Sequence, residues 1–434
     1  MIAEIEFLRS QISSLLIYEN LLQDARVQAF VNLLNVLVKD PDKNFNCLPA
    51  YGHWFRSLAD QNISWQDYLI QQILAAENPF TQQVKKQPLA DLSPSLIAAV
   101  NHDLEVLQTV YNCSGEQVSQ WVKFAAKLSQ PPVAWNQIEN PAALPEYQVP
   151  LWMAFKSAKK WPDLLESLAA YYHEYGWGIF TEYRAFRWQS GELVSIPHPD
   201  RVRLTELVGY EFQKVTLLNN TQSLLAGLPA LNVLLYGTRG TGKSSLVKAL
   251  LNEYGDRGLR LIEVSKSTLK DLPAIAEQLR DLPQKFIIFV DDLSFEEDDD
   301  DFKALKMVLE GNLTAKPQNV VVYATSNRRH LVREFFGDRP RPSVEEIHAW
   351  DSVQEKLSFS DRFGLTLTFE AANQDKYLTI VHHLAALANI TIYQAELDYE
   401  ALQWATQHNG RSGRTARQFI DFLMGKLTAK SPMN

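Results

Sequence analysis

Cysteine is nearly absent from this chain. Only Cys47 and Cys113 occur in 434 residues, far apart and outside any Cys-x2-Cys spacing. That excludes a disulfide framework and a structural zinc site as the basis of the fold, and leads us to expect a reducing compartment. A surplus of positive charge is also missing: 42 Lys and Arg stand against 51 Asp and Glu, a net charge of -9. A surface that coats nucleic acid or anionic lipid through counterion release is therefore not favoured. The start, Met1-Ile2-Ala3-Glu4-Ile5-Glu6, has no basic stretch followed by a long apolar one, and later apolar runs such as 286–290 are only strand-sized. A cytoplasmic protein without a membrane span is the expectation. What is present is a globular composition, 46% hydrophobic, 21% charged and 11% aromatic, in a chain long enough for two to three folded units.

Apolar residues recur at helical spacing from residue 2 to about 128, as in Leu21, Leu22, Val27, Phe30, Val31, Leu34 and Leu37, so residues 1–130 are expected to form a mainly α-helical N-terminal domain. Ser64 before Trp65 and Ser93 before Pro94 are its candidate helix starts. Trp54, Trp65, Trp121 and Trp135 are expected to be core. Five prolines between 131 and 150 are too many helix breakers for one regular element. Residues 131–197 thus read as a linker with a connecting helical stretch, in which Gly178-Ile179-Phe180 and Ala185-Phe186-Arg187-Trp188 are candidate strands. From 198 apolar runs alternate with helical segments, the pattern of a parallel sheet flanked by helices. The expected α/β nucleotide domain spans 198–370 and a C-terminal helical lid spans 371–434. An acidic run, 296–301, reads as a solvated loop.

The chemistry-bearing motif is Gly237-Thr238-Arg239-Gly240-Thr241-Gly242-Lys243-Ser244, which fits Gly-x4-Gly-Lys-Ser/Thr between an apolar run, 231–236, and a helical one, 246–251. In that context glycines let successive backbone N–H groups face an anion, and the helix N-terminus adds its dipole. Lys243 would meet the β and γ phosphates of ATP, and Ser244 would hold Mg2+. A second apolar run, 285–290, ends in Asp291 and Asp292. Asp291 is the expected magnesium-side carboxylate and Asp292 the group that polarises water. A third, 319–324, ends in Thr325-Ser326-Asn327, where Asn327 is placed to orient water or sense the γ phosphate. His330, just beyond, reads as a turn residue. Arg362 precedes the strand-like run 365–369 and is the candidate arginine finger. Arg414 and Arg417 lie three apart at the start of a helix, and Arg414 is the one expected to lean on the nucleotide.

The order of these motifs, completed by Asp361-Arg362-Phe363-Gly364 and Gly413-x-Thr415 around Arg414, resembles the AAA+ superfamily over about 198–426. The strings 232–243, 290–296 and 411–419 are similar to an uncharacterised bacterial family known only as a predicted AAA+ ATPase domain of unknown function. The resemblance implies that the segment Leu207-Val208-Gly209-Tyr210 lines the adenine pocket, that Asn327 is sensor 1 and Arg414 sensor 2, and that Arg362 acts across a subunit boundary. A homo-oligomeric ring, often a hexamer, follows from that last role. It further implies a Mg-ATP hydrolase that remodels or regulates a protein partner recruited by the N-terminal region. Asp292 stands where AAA+ enzymes usually carry glutamate. A slow or non-hydrolysing nucleotide-switched scaffold is therefore the alternative, unless Glu296 or Glu297 substitutes; a DNA-associated remodelling ATPase is a second alternative.

Overall fold

In the computed structural model of the chain, the structure describes residues 1–39, 47–135, 144–293, 305, 309, 317–327, 362–408 and 410–430. His330, Asp361 and the acidic run 296–301 with Glu296 and Glu297 lie outside them. The backbone divides into two compact units, Met1–Glu182 and Tyr183–Asn434. Sequence had suggested boundaries near 130, 197 and 370 instead. The first unit therefore includes the helices Val149–Ser157 and Leu165–Tyr175, and the second includes strands from within 131–197. Among the described residues no helix is long and apolar enough to cross a membrane.

Met1–Glu182 is built of helices because its apolar residues form stripes with the helical period. The Ser64 hydroxyl accepts the Asp67 amide and starts the helix Trp65–Ala75, as its position suggested. Pro94 opens the helix Pro94–Tyr111, though the Ser93 side chain makes no capping bond. Trp54, Trp65 and Trp121 are buried in one cluster with Phe30, and Trp135 packs on its rim while donating to the Ile63 carbonyl. The strand reading of 178–180 is corrected: Ile179–Glu182 is a single helical turn. The Thr181 amide and hydroxyl both bond the Gly178 carbonyl and close it.

Tyr183–Asn434 carries a seven-stranded sheet: β1 Ala185–Gln189, β2 Glu192–Ser195, β3 Val233–Gly237, β4 Leu259–Glu263, β5 Lys285–Val290, β6 Val320–Ser326 and β7 Leu365–Phe369. Its order is β2-β1-β4-β5-β6-β3-β7. All neighbours are parallel except the β1–β2 hairpin at one edge. The central strands are near-continuous apolar runs, with β6 buried throughout, as a sheet covered on both faces demands. The edge strand β2 is half-exposed.

This order positions the site. β5, β6 and β3 are adjacent and parallel, with Val290 beside Ala324 and Tyr236 beside Ser326. The residues that follow their C-terminal ends, Asp291, Asn327 and the glycine-rich loop, must therefore converge at one rim of the sheet, where open α/β sheets bind ligands. Three further helices, Gln374–Leu387, Gln394–Gln407 and Gly413–Lys430, share a core of Tyr377, Val381, Ala401, Phe419 and Ile420. They form the C-terminal helical lid, and Val208 packs against that core.

Candidate nucleotide site

The loop after β3 leads directly into the helix Lys243–Tyr254. Gly237 has φ +140°, and a Cβ there would lie 2.0 Å from the Phe369 carbonyl oxygen. Only glycine lets the loop leave the sheet this close to β7, and the Thr238 amide then bonds that same carbonyl at 3.0 Å. On the other side the lid approaches: a Cβ on Gly240 would meet the Ser412 hydroxyl at 2.8 Å. The Arg414 amide donates to the Gly240 carbonyl at 3.1 Å. The Thr241 hydroxyl ties the loop to itself through the Thr238 carbonyl at 2.9 Å.

Lys243 stands at the centre. Its ammonium donates to the carbonyls of Gly237 (2.8 Å) and Thr238 (2.9 Å) and to Asn327 Oδ1 (3.3 Å). Burial lowers its pKa from the usual lysine value. Asp292 and Asp291 oppose that fall, while Arg239 and Arg414 add to it. One turn on, the Ser244 hydroxyl donates to Asp291 Oδ1 at 2.6 Å. The Asn327 amide donates to Asp292 Oδ1 at 2.5 Å, so Asn327 bridges the lysine and the second aspartate. Asp292 sits in the left-handed region at φ +52°, a conformation that Asp tolerates far better than β-branched or bulky residues.

A cleft of about 960 Å³ opens over this rim. Of the sequence-derived candidates, Val208, Arg239, Gly240, Thr241, Gly242, Lys243, Ser244, Asp291, Asp292, Asn327 and Arg414 line it. Gly237 and Thr238 instead reach it through the carbonyls that hold Lys243. Gly209, at φ +92°, lies against Lys376. Arg362 is not brought to the cleft. It precedes β7, whose Leu365 pairs with Val233 and Phe369 with Gly237, so it sits at the opposite end of the sheet from the phosphate loop. Leu207 and Tyr210, which flank Val208 and Gly209 in the expected adenine segment, line the cleft too, as do Thr325 and Gln418, for which the sequence suggested no role. A polar Thr325 near the end of an apolar strand was the one available signal. Arg417 lines it too, paired with Glu206 at 2.5 Å.

The geometry can cradle a polyphosphate: a buried lysine, a helix N-terminus behind a glycine-rich turn, and a hydroxyl beside a carboxylate. A family model described as "Protein of unknown function (DUF815)" matches residues 181–427. The chain belongs to the DUF815 family. Its fold comprises a mostly parallel sheet flanked by helices with a C-terminal helical lid in one unit, and a helical N-terminal unit as the other. No curated protein matches it. Among solved structures, the Thermotoga maritima RuvB Holliday junction branch migration motor is 16% identical, with 52% of this chain and 66% of that chain covered at a TM-score of 0.36. A second RuvB structure gives 18% identity, 52% and 66% coverage and a TM-score of 0.38. A DNA replication initiation factor gives 16% identity, 52% and 65% coverage and a TM-score of 0.33. In each case the match spans just under two thirds of the other protein.

Proposed function

We propose that DUF815 residues of this chain bind Mg-ATP and hydrolyse it, and that the cycle acts on a protein partner recruited by the helical N-terminal unit. The observation that carries this reading is the convergence of Lys243, Ser244, Asp291, Asp292 and Asn327 on one rim of the sheet. The residues present fit the implied ligand. A buried ammonium held by two loop carbonyls, and glycines whose Cβ atoms would strike backbone or the lid, make a cradle for phosphate. The Ser244–Asp291 pair is a set of hard oxygen donors suited to magnesium.

In this reading the loop amides of 239–244 and Lys243 hold the phosphates, and Ser244 and Asp291 hold the metal. Magnesium, when bound, neutralises charge that develops on the transferred phosphoryl group. Asp292 accepts a hydrogen bond from the attacking water and Asn327 fixes its direction, so that positioning supplies most of the rate. Arg414 presents positive charge from the lid side, and Val208 and Gly209 border the base. Arg362, at the far end of the sheet, serves a neighbour's site. That assignment supports a homo-oligomeric ring.

One observation favours a second reading, a slowly hydrolysing nucleotide switch. Asp292 is a methylene shorter than glutamate, and one of its oxygens already accepts from Asn327. Single-turnover hydrolysis of radiolabelled ATP by the purified chain separates the two. We expect phosphate release that Asp292→Asn abolishes while nucleotide stays bound; release no faster than spontaneous hydrolysis would establish the switch.

A further inference from the structure

Thr325 does more than its place in β6 requires. It is 2% exposed, and strand geometry is satisfied by its backbone, yet it grips three consecutive residues after β5. Its hydroxyl donates to Asp291 Oδ1 at 2.5 Å and accepts the Asp292 amide at 2.9 Å, and its carbonyl accepts the Leu293 amide at 2.7 Å. Asp291 Oδ1 also accepts from Ser244 at 2.6 Å and, at longer range, from the Asp292 amide at 3.2 Å.

We propose that Thr325 is a positioning residue that assigns the two oxygens of Asp291 to different tasks and sets the left-handed turn of Asp292; this rests on the Mg-ATP reading above. The Thr325 and Ser244 hydroxyls both donate to Oδ1. That oxygen is committed to the protein, and Oδ2 keeps its lone pairs for a cation or its water. The same hydroxyl, by accepting the Asp292 amide, holds the backbone at φ +52° and so aims the Asp292 carboxylate at Asn327. A single hydroxyl thereby couples the metal-side and water-side carboxylates. Outer hydrogen bonds of this kind set ligand orientation and are worth roughly 10- to 100-fold in metal affinity.

The test compares the full chain with Thr325→Val, nearly isosteric but without the hydroxyl, and Thr325→Ser, which keeps it. ATP affinity is titrated calorimetrically with and without Mg2+, alongside kcat, KM and thermal melting. We expect Thr325→Val to lose about 10-fold or more of the gain that Mg2+ gives wild type, with metal-free ATP affinity unchanged and kcat lowered more than KM is raised. Thr325→Ser should retain the gain within roughly threefold. An unchanged gain in Thr325→Val, or a loss in Thr325→Ser as large as in Thr325→Val, overturns the role. Should the valine variant not fold, Thr325→Ala, which also lacks the hydroxyl, is compared with Thr325→Ser under the same expectations. A wild-type chain without any magnesium gain would overturn the nucleotide reading itself, and this role with it.

Discussion

The helical unit and the sheet unit both bury polar groups, but they aim them differently. In Met1–Glu182 the Asp103 carboxylate, fully buried, accepts the amides of Leu16, Ile17 and Tyr18 at 2.7–3.0 Å. The Tyr172 hydroxyl bonds the Ile73 carbonyl, and the Tyr18 hydroxyl meets that of Tyr172 at 3.2 Å. Every one of these bonds ties helix to loop or helix to helix. In Tyr183–Asn434 the polar groups of Lys243, Thr325, Asp291 and Asn327 gather where three parallel strands end, facing one cleft. Buried polar atoms must find partners in either case. The teaching is that placement reveals purpose: polar groups that join helices and loops inside a packed core indicate architecture, whereas polar side chains that satisfy one another around a cleft leave capacity for a ligand.

Substitutions should divide along the same line. The largest effect is expected at Arg362: Arg362→Ala should lower steady-state turnover by about 10³-fold, as loss of an arginine finger does, without changing ATP affinity or melting temperature. Mixing that variant with Lys243→Ala subunits should recover part of the activity, and failure of mixed assemblies to do so would count against a finger acting between subunits. Next is Asp103→Ala, which strands three amides and should cost the helical unit about 3–5 kcal/mol. Denaturant unfolding would measure it, with Mg-ATP affinity unchanged; a neutral variant would break the comparison on the structural side. The smallest effect concerns the two thiols. Burial pushes the Cys113 thiol up to about 12 and raises Cys47 as well. Thiolate is the reactive form, so at pH 8 both should label slowly until the chain unfolds. Prompt labelling of the native protein would contradict their burial.

Much of the sheet unit was legible because parallel strands buried on both faces are written as apolar runs. β3, β5 and β6 each stand as such a run and end in the polar residues that converge, whereas the edge strand β7 alternates, with Thr366 and Thr368 exposed. The phosphate loop was legible because its spacing is dictated by backbone geometry. The hairpin β1–β2 was less so: Phe186 and Trp188 are strand-like, but only pairing with Leu261 to Glu263 shows which body they join. Thr325 escaped notice because its role depends on Asp291 and Asp292, more than thirty positions away in sequence and adjacent only across β5 and β6. For Arg414 and Arg417 spacing put both on one face; the structure distinguishes them by Glu206, which engages Arg417. The helical unit disclosed its period and its tryptophan core, yet not Asp103, since a carboxylate within a helix gives no sign that it will cap a distant loop.

Calorimetric titration of Mg-ATP into the wild-type chain and into Lys243→Ala tests the central claim most directly. The account predicts saturable binding by the wild type, lost in the variant while the melting temperature of the ligand-free protein stays close to wild type. Equal affinity in the two proteins would contradict it.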